Sequence, residues 1–246
     1  MLETINNARN ALAFLSRLIP PAPQPEGRFD ETKLAEAVPF YPLAGLILGA
    51  LACLPSLSPL PAWIAAFLYT LLLAWMTRGL HWDGLADLAD ACGSNAAGDR
   101  FWEIMKDSHI GAFGVMALVF GIGGQTLAAY VCIEKGAWLP LVIAPAFGRG
   151  MVILLGRMVR PNPRSTLAAL IQPGLEKTAA LAALMLTFVL AALCLSDIAF
   201  VAALLLTAIA LYILRRIALA HDGVNGDFYG ALIVTLEIAV LISGSF

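Results

Sequence analysis

An all-α bundle of membrane-spanning helices is the fold class this sequence predicts, on three observations. Charged residues fill only 13% of its 246 positions and hydrophobic ones 60%, against about 25% charged in soluble domains. The apolar residues fall into seven runs, at 38–56, 60–78, 111–133, 137–156, 178–196, 198–214 and 229–243. Each is near the length of a helix that crosses the hydrocarbon core, the last being short. Lys and Arg, finally, crowd into alternate connections. With the N-terminus inside, the inner segments hold Arg9, Arg17, Arg28, Lys33, Arg78, Arg100, Lys106, Arg157, Arg160, Arg164, Lys177, Arg215 and Arg216, and the outer ones only Lys135. That asymmetry predicts an N-in, multi-pass protein.

The chain opens with an amphipathic segment. Over residues 5–19, Ile5, Ala8, Leu12, Leu15 and Ile19 share one side, away from most of Asn6, Arg9, Asn10 and Arg17, as expected of a short helix lying in the membrane surface. It carries charge and lacks a long apolar core with a small-residue cleavage site, so no cleaved leader is expected. Pro20 to Pro25 is a linker. Residues 1–36 thus form an interfacial segment and 37–246 the bundle, within one membrane-embedded domain. In the bundle, Gly45-x-x-x-Gly49 and the Gly121, Gly123 and Gly124 cluster are seams where helices can approach closely. No strand pattern and no repeat stands out. Cys53, Cys92, Cys132 and Cys194 have no metal-ligand spacing, so neither disulfide nor zinc is expected. The net charge of -2 says nothing about partners, and no basic tract suggests a nucleic acid.

Chemistry concentrates in three blocks, all on the inner side under this topology. The first follows the second run: Asp83, Asp87 and Asp90 recur at helical spacing and fall within an arc of about 60°. Three carboxylates on one face repel one another. A hard cation that takes oxygen ligands, such as Mg²⁺, relieves the repulsion. His81 points away from that face unless the chain bends near Gly79. The second block is Glu103 to Gly114, in which Glu103 and Asp107 fall one turn apart and Lys106 offers a flexible cation to phosphate. The third is His221 to Gly230, where Gly223 and Gly226 flank Asn225 and allow positive φ, so that amides face an anion while Asp227 faces a cation. Inside the spans stand Arg149 and Glu237, at similar helical depth. A lone charge there costs roughly 2.5–3.5 kcal/mol, so the two are expected to pair, or Arg149 to floor a phosphate pocket. Acids, cations and a glycine turn together are the parts for phosphoryl or phosphodiester transfer.

The ordered set HWDGLADLADA (81–91), DRFWEIMKDSHIGAFGV (99–115), FGRG (147–150) and NGDFYGA (225–231) followed by Glu237 resembles the cobalamin synthases, the adenosylcobinamide-GDP ribazoletransferases. FLSRLIPP (14–21) and PFYPLAGLILGA (39–50) extend the resemblance over most of the chain. It implies a bacterial inner-membrane enzyme facing the cytoplasm that uses Mg²⁺ to join adenosylcobinamide-GDP to α-ribazole or its 5′-phosphate, releasing GMP, and it leaves homo-oligomerisation open. Asp83, Asp87, Asp90 and Asp227 would hold the metal. Lys106, Arg149, Arg78 and Asn225 would serve the phosphates, and the general base would come from Asp90, Asp107 or Asp227. The chain departs from the family pattern at Arg78, at His109, at 160–164 and at Asp222 to Asp227, where the family usually reads GGxTGD. Two other classes compete. A CDP-alcohol phospholipid head-group phosphotransferase also carries an aspartate helix, but with DGxxAR where this chain has Asp83 to Asp87. A secondary transporter would couple through Arg149 and Glu237 and often shows inverted repeats.

Overall fold

The computed structural model describes residues 2–23 and 32–246, so Pro25 of the linker and Arg28 of the first inner segment lie outside the described residues. Twelve α-helices follow in order: α1 (Leu2–Leu15), α2 (Thr32–Ala37), α3 (Tyr41–Cys53), α4 (Ala62–Met76), α5 (Leu80–Gly93), α6 (Asp99–Ile104), α7 (Ala112–Glu134), α8 (Trp138–Met158), α9 (Thr166–Glu176), α10 (Thr178–Cys194), α11 (Asp197–Ala220) and α12 (Gly226–Gly244). Among the described residues, the sole β-type pairing is an isolated bridge between Pro161 and Val224. Among the described residues five helical segments are long and apolar enough to cross a membrane, and up to seven if each of two bent pairs counts as one crossing.

The first helix, Leu2–Leu15, begins before the expected 5–19 and ends short of it. The Ser16 hydroxyl donates back to the Leu12 carbonyl (2.6 Å) and accepts the Leu18 amide, turning the chain out of the helix. The segment beyond folds back along it, with Asn10 accepting the Ala22 amide (2.8 Å) and Arg9 donating to the Pro20 carbonyl.

At the centre stand α8 and α12, buried along most of their length, while α7, α10 and α11 turn Val119, Phe120, Leu186 and Leu205 outward, as lipid-facing surfaces do. Pro145 sits within α8 and has no amide to donate, which would orphan the Leu141 carbonyl. Tyr69 of α4 donates its hydroxyl to that carbonyl (2.9 Å). One turn on, Arg149 is wholly buried and pairs with Glu237 of α12 (2.7 Å), as their matched depth predicts. Gln125 of α7 donates to the other Glu237 oxygen (3.0 Å). One charge pair thereby joins α7, α8 and α12 where no water is available to satisfy them.

Close approach depends on glycine. A Cβ at Gly45 would lie 2.4 Å from the Pro145 carbonyl oxygen, and one at Gly49 2.3 Å from that of Val142, so the predicted seam is the α3–α8 contact. In the second predicted cluster Gly121 faces the Trp82 ring, whereas Gly123 faces open space.

Between α4 and α5 the direction changes by 88°. Arg78 and Gly79 both take positive φ, and the Gly79 amide closes on the Ala74 carbonyl (2.8 Å), a C-terminal helix cap. The two ends of the bundle are chemically distinct. Gly136, Trp138, Leu195, Ser196 and Phe246 gather at one end; α5, α6, α9 and the turn before α12 gather at the other.

The seam gives a contrast to test. Gly49→Val forces α3 off α8 and should lower the thermal midpoint in detergent by the equivalent of about 1–3 kcal/mol or more. Gly123→Ala should be neutral or raise it, since alanine favours helix by about 1 kcal/mol. Equal effects at the two positions would contradict the close α3–α8 contact.

Candidate active site

The acidic helix is set by what its other face buries. His81 and Trp82 point inward, the His81 ring nitrogen Nδ1 lying 3.4 Å from the Arg149 guanidinium. The bend at Gly79 therefore carries His81 into the core and away from the aspartates. Gly84 lets α5 touch the start of α12, where a Cβ would come within 2.7 Å of the Asp227 Cα. The opposite face then looks out beside the first turns of α7 and α12.

Asp83 and Asp87 on that face line a cavity of ≈ 790 Å³ together with Arg78, Lys106, Asp107 and His109. Asp90 does not line it. Its two oxygens accept the amides of Gly111 (2.7 Å) and Gly114 (2.8 Å), so this carboxylate caps the N-terminus of α7. Both glycines are needed there, because a Cβ on either would sit within 2.4 Å of an Asp90 oxygen. Asp227 stands in the first turn of α12, where Asn225 accepts the amides of Asp227 and Phe228 and donates to the Asp227 carboxylate (2.6 Å).

The expected positive φ falls at Asp222 and Gly223, while Gly226 already belongs to the helix. Nor do Glu103 and Asp107 share a helical face. The helix stops at Ile104, Glu103 pairs with Arg100, and Asp107 accepts both the amide (3.0 Å) and the ring (2.7 Å) of His109. Those bonds hold the Asp107 carboxyl below the usual carboxylate range.

Of the cations expected on phosphate, Lys106 reaches both the large cavity and a neighbouring cleft. Arg78 lines the cavity while donating to the Phe14 carbonyl (3.1 Å). Arg149 is buried and spent on Glu237, Pro145 and His81, so it takes the pairing role of the two the sequence left open. The neighbouring cleft, ≈ 290 Å³, brings in residues to which the sequence gives no site role, among them Trp102, Asn162 and Arg164. Asn162 fastens two loops together, donating to the carbonyls of His221 (3.2 Å) and Asp222 (3.3 Å) while its own amide takes the Val224 carbonyl (2.8 Å). The Pro-Asn-Pro spelling, with an Asx side chain that bonds its own turn, is the local signal for such a residue. His221 stacks on Phe101 at 3.7 Å between centroids, and burial lowers its imidazole pKa.

Electrostatically the site is over-supplied with negative charge. Burial first, then the charges of Asp83, Asp227 and Asp90, push the Asp87 carboxyl up to about 7. Among the described residues no group of three or more Asp, Glu, His and Cys side chains is gathered so that it could hold a metal ion. The donors that face one another are nonetheless hard oxygens carrying unbalanced charge, a set that suits Mg²⁺.

A family model described as cobalamin-5-phosphate synthase matches residues 7–245 of this chain. A protein of Nitratidesulfovibrio vulgaris (strain Hildenborough) named adenosylcobinamide-GDP ribazoletransferase is 41% identical over 244 residues, covering 98% of each chain. Proteins of the same name from Syntrophobacter fumaroxidans and from Escherichia coli are 36% identical (94% of each chain) and 32% identical (94% of this chain, 96% of the relative). No solved structure matches.

The raised Asp87 pKa predicts a pH dependence. The folded carboxyl holds its proton to about 7 whereas the unfolded one releases it near 3.8, so folding binds a proton between those values. In metal-free buffer Asp87 should therefore favour folding below the unfolded value and lose that contribution as pH rises through the window. Thermal midpoints of the wild type should fall from pH 5 to 8 relative to Asp87→Asn. A difference independent of pH would contradict the crowding of charge around Asp87.

Proposed function

We propose this protein's reaction from the family to which the chain belongs, the cobalamin-5-phosphate synthases: it is a transferase of cobalamin biosynthesis. On this reading it joins adenosylcobinamide-GDP to α-ribazole or α-ribazole 5′-phosphate and releases GMP, with Mg²⁺ as cofactor. On the same reading the acidic end of the bundle faces the cytoplasm from the bacterial inner membrane, an orientation that the placement of Lys and Arg supports. The observation that carries the reading is the meeting of Asp83 and Asp87 with Lys106 and Asp107 around one cavity, beside Asp227.

The cavity is large enough for a sizeable ligand, and its lining carries both acids and cations. Lys106 and Arg78 suit the diphosphate; Asp83 and Asp87, with Asp227, would hold Mg²⁺. When bound, the ion supplies charge neutralisation to the phosphates and acidity to a hydroxyl. In the transfer, a ribazole hydroxyl forms a new bond to the phosphorus on the cobinamide side. The bond from that phosphorus to the bridging oxygen breaks, and its electron pair leaves with GMP. The hydroxyl proton passes to a carboxylate. Asp90 has both oxygens engaged and Asp107 is made a weaker base by His109, so Asp227, half-buried with only one oxygen held by Asn225, is the best placed acceptor. Positioning and charge neutralisation do most of the work in such a reaction.

A transporter reading loses its basis because Arg149 and Glu237 are spent on each other in a sealed core.

Purified protein in detergent, given Mg²⁺, adenosylcobinamide-GDP and α-ribazole, should release GMP. Chelation should stop it, and Asp83→Asn and Asp87→Asn should each lower kcat about a thousandfold or more. Undiminished turnover in either variant would remove that residue from the site.

A further inference from the structure

We propose that the cleft between α6, α9 and the start of α12 seats the 5′-phosphate of the accepting nucleoside, with Arg164 and Lys106 as its cations and Arg164 setting the preference for a phosphorylated acceptor. This rests on the transfer reaction proposed above.

The cleft, ≈ 290 Å³, is lined by Trp102, Lys106, Arg164, Thr166, Asn225 and Asp227. It adjoins the large cavity, since Lys106 lines both. Attacking and leaving oxygens stand roughly in line in phosphoryl transfer. A donor whose diphosphate lies over Asp83 and Asp87 must be approached from another side, and the adjoining cleft, with Asp227 in its wall, offers one. Its volume lies at the small end of ligand pockets, room for a phosphate and a pentose rather than a second corrinoid.

Its cations are available. Among the described residues no carboxylate pairs with Lys106. Arg164 pairs with Asp99, but the Asp99 side chain is 80% exposed, and a surface pair of this kind is worth about 0–1 kcal/mol, so a phosphate can replace it. The backbone at Arg164 is also fixed. Asn162, only 3% exposed, accepts the Arg164 amide (2.8 Å) while its amide group holds the loop before α12, which fixes where Arg164 leaves the chain. Guanidinium geometry suits two-point binding of phosphate.

Two further features agree. Ser165 caps α9 by accepting the Ala168 amide (3.2 Å), which leaves the amides of Thr166 and Leu167 as first-turn donors beside Arg164. Trp102 is pinned by the bond from its indole N–H to the His221 carbonyl (3.2 Å), so a rigid aromatic wall flanks the cations.

The test compares two acceptors, α-ribazole and α-ribazole 5′-phosphate, at saturating adenosylcobinamide-GDP with the full-length enzyme. In Arg164→Gln the ratio of kcat/KM for the phosphorylated over the free acceptor should fall about tenfold or more, through the KM of the phosphorylated one. Arg164→Lys, which keeps the charge, should recover part of the ratio. An unchanged ratio, or an equal loss with both acceptors as expected if the cleft held the departing nucleotide, would overturn the proposal. Wild-type enzyme that turns over neither acceptor would overturn the transfer reading, and this proposal with it.

Discussion

Everything at the reactive end depends on a bond made in the apolar core. Arg149 and Glu237 are fully desolvated, and removing either partner of such a pair is far worse than never having built it. Together they join α8 and α12 and hold Gln125 of α7, while the Arg149 guanidinium also faces His81 at the root of α5. With His81 and Trp82 drawn inward, helical geometry leaves Asp83 and Asp87 one direction to point. The glycine contacts of Gly84 with Asp227 and of Gly230 with His81 then fix how far α5 slides along α12.

A second consequence concerns charge. The fold spends Asp90 on the free amides of α7 and Asn225 on those of α12, so the start of each span is satisfied by a side chain from its own neighbourhood. What remains is Asp83, Asp87 and Asp227, close enough for Asp87 to feel the others and, among the described residues, in no ion pair. Cations are present, but they stand aside: Lys106 at the junction of cavity and cleft, Arg78 at the bend, Arg164 across the cleft. A cavity lined by both Asp83 and Asp87 and by Lys106 and Arg78 is suited to a phosphate and a divalent cation arriving together.

Much of this is legible in the residues. Long apolar runs mark the crossings because hydrocarbon tolerates little else, and the Gly45 and Gly49 spacing marks a helix seam because only glycine allows backbones so close. The Arg149 and Glu237 pairing follows from equal depth. Less accessible is anything decided between distant segments. The 157–177 connection reads as a loop, yet it contains α9, whose apolar side packs under α2; Gly174 approaches the Ala35 carbonyl there. The capping by Asp90 depends on α7 starting where it does, and the helical spacing of Asp83, Asp87 and Asp90 contains no hint that one of the three faces elsewhere. Glu103 and Asp107 fail as a pair because the Asp107 side chain bonds its own turn and ends the helical geometry, a local competition that spacing does not express.

The central claim is that acids from α5 and α12 share one divalent cation, and the most direct measurement locates that cation. An experimental structure of the protein with Mn²⁺, the ion identified by its anomalous scattering, should place it against Asp83, Asp87 and Asp227, and the signal should vanish in Asp87→Asn. Mn²⁺ bound elsewhere, or an enzyme that turns over at full rate after every divalent ion has been removed, would contradict it.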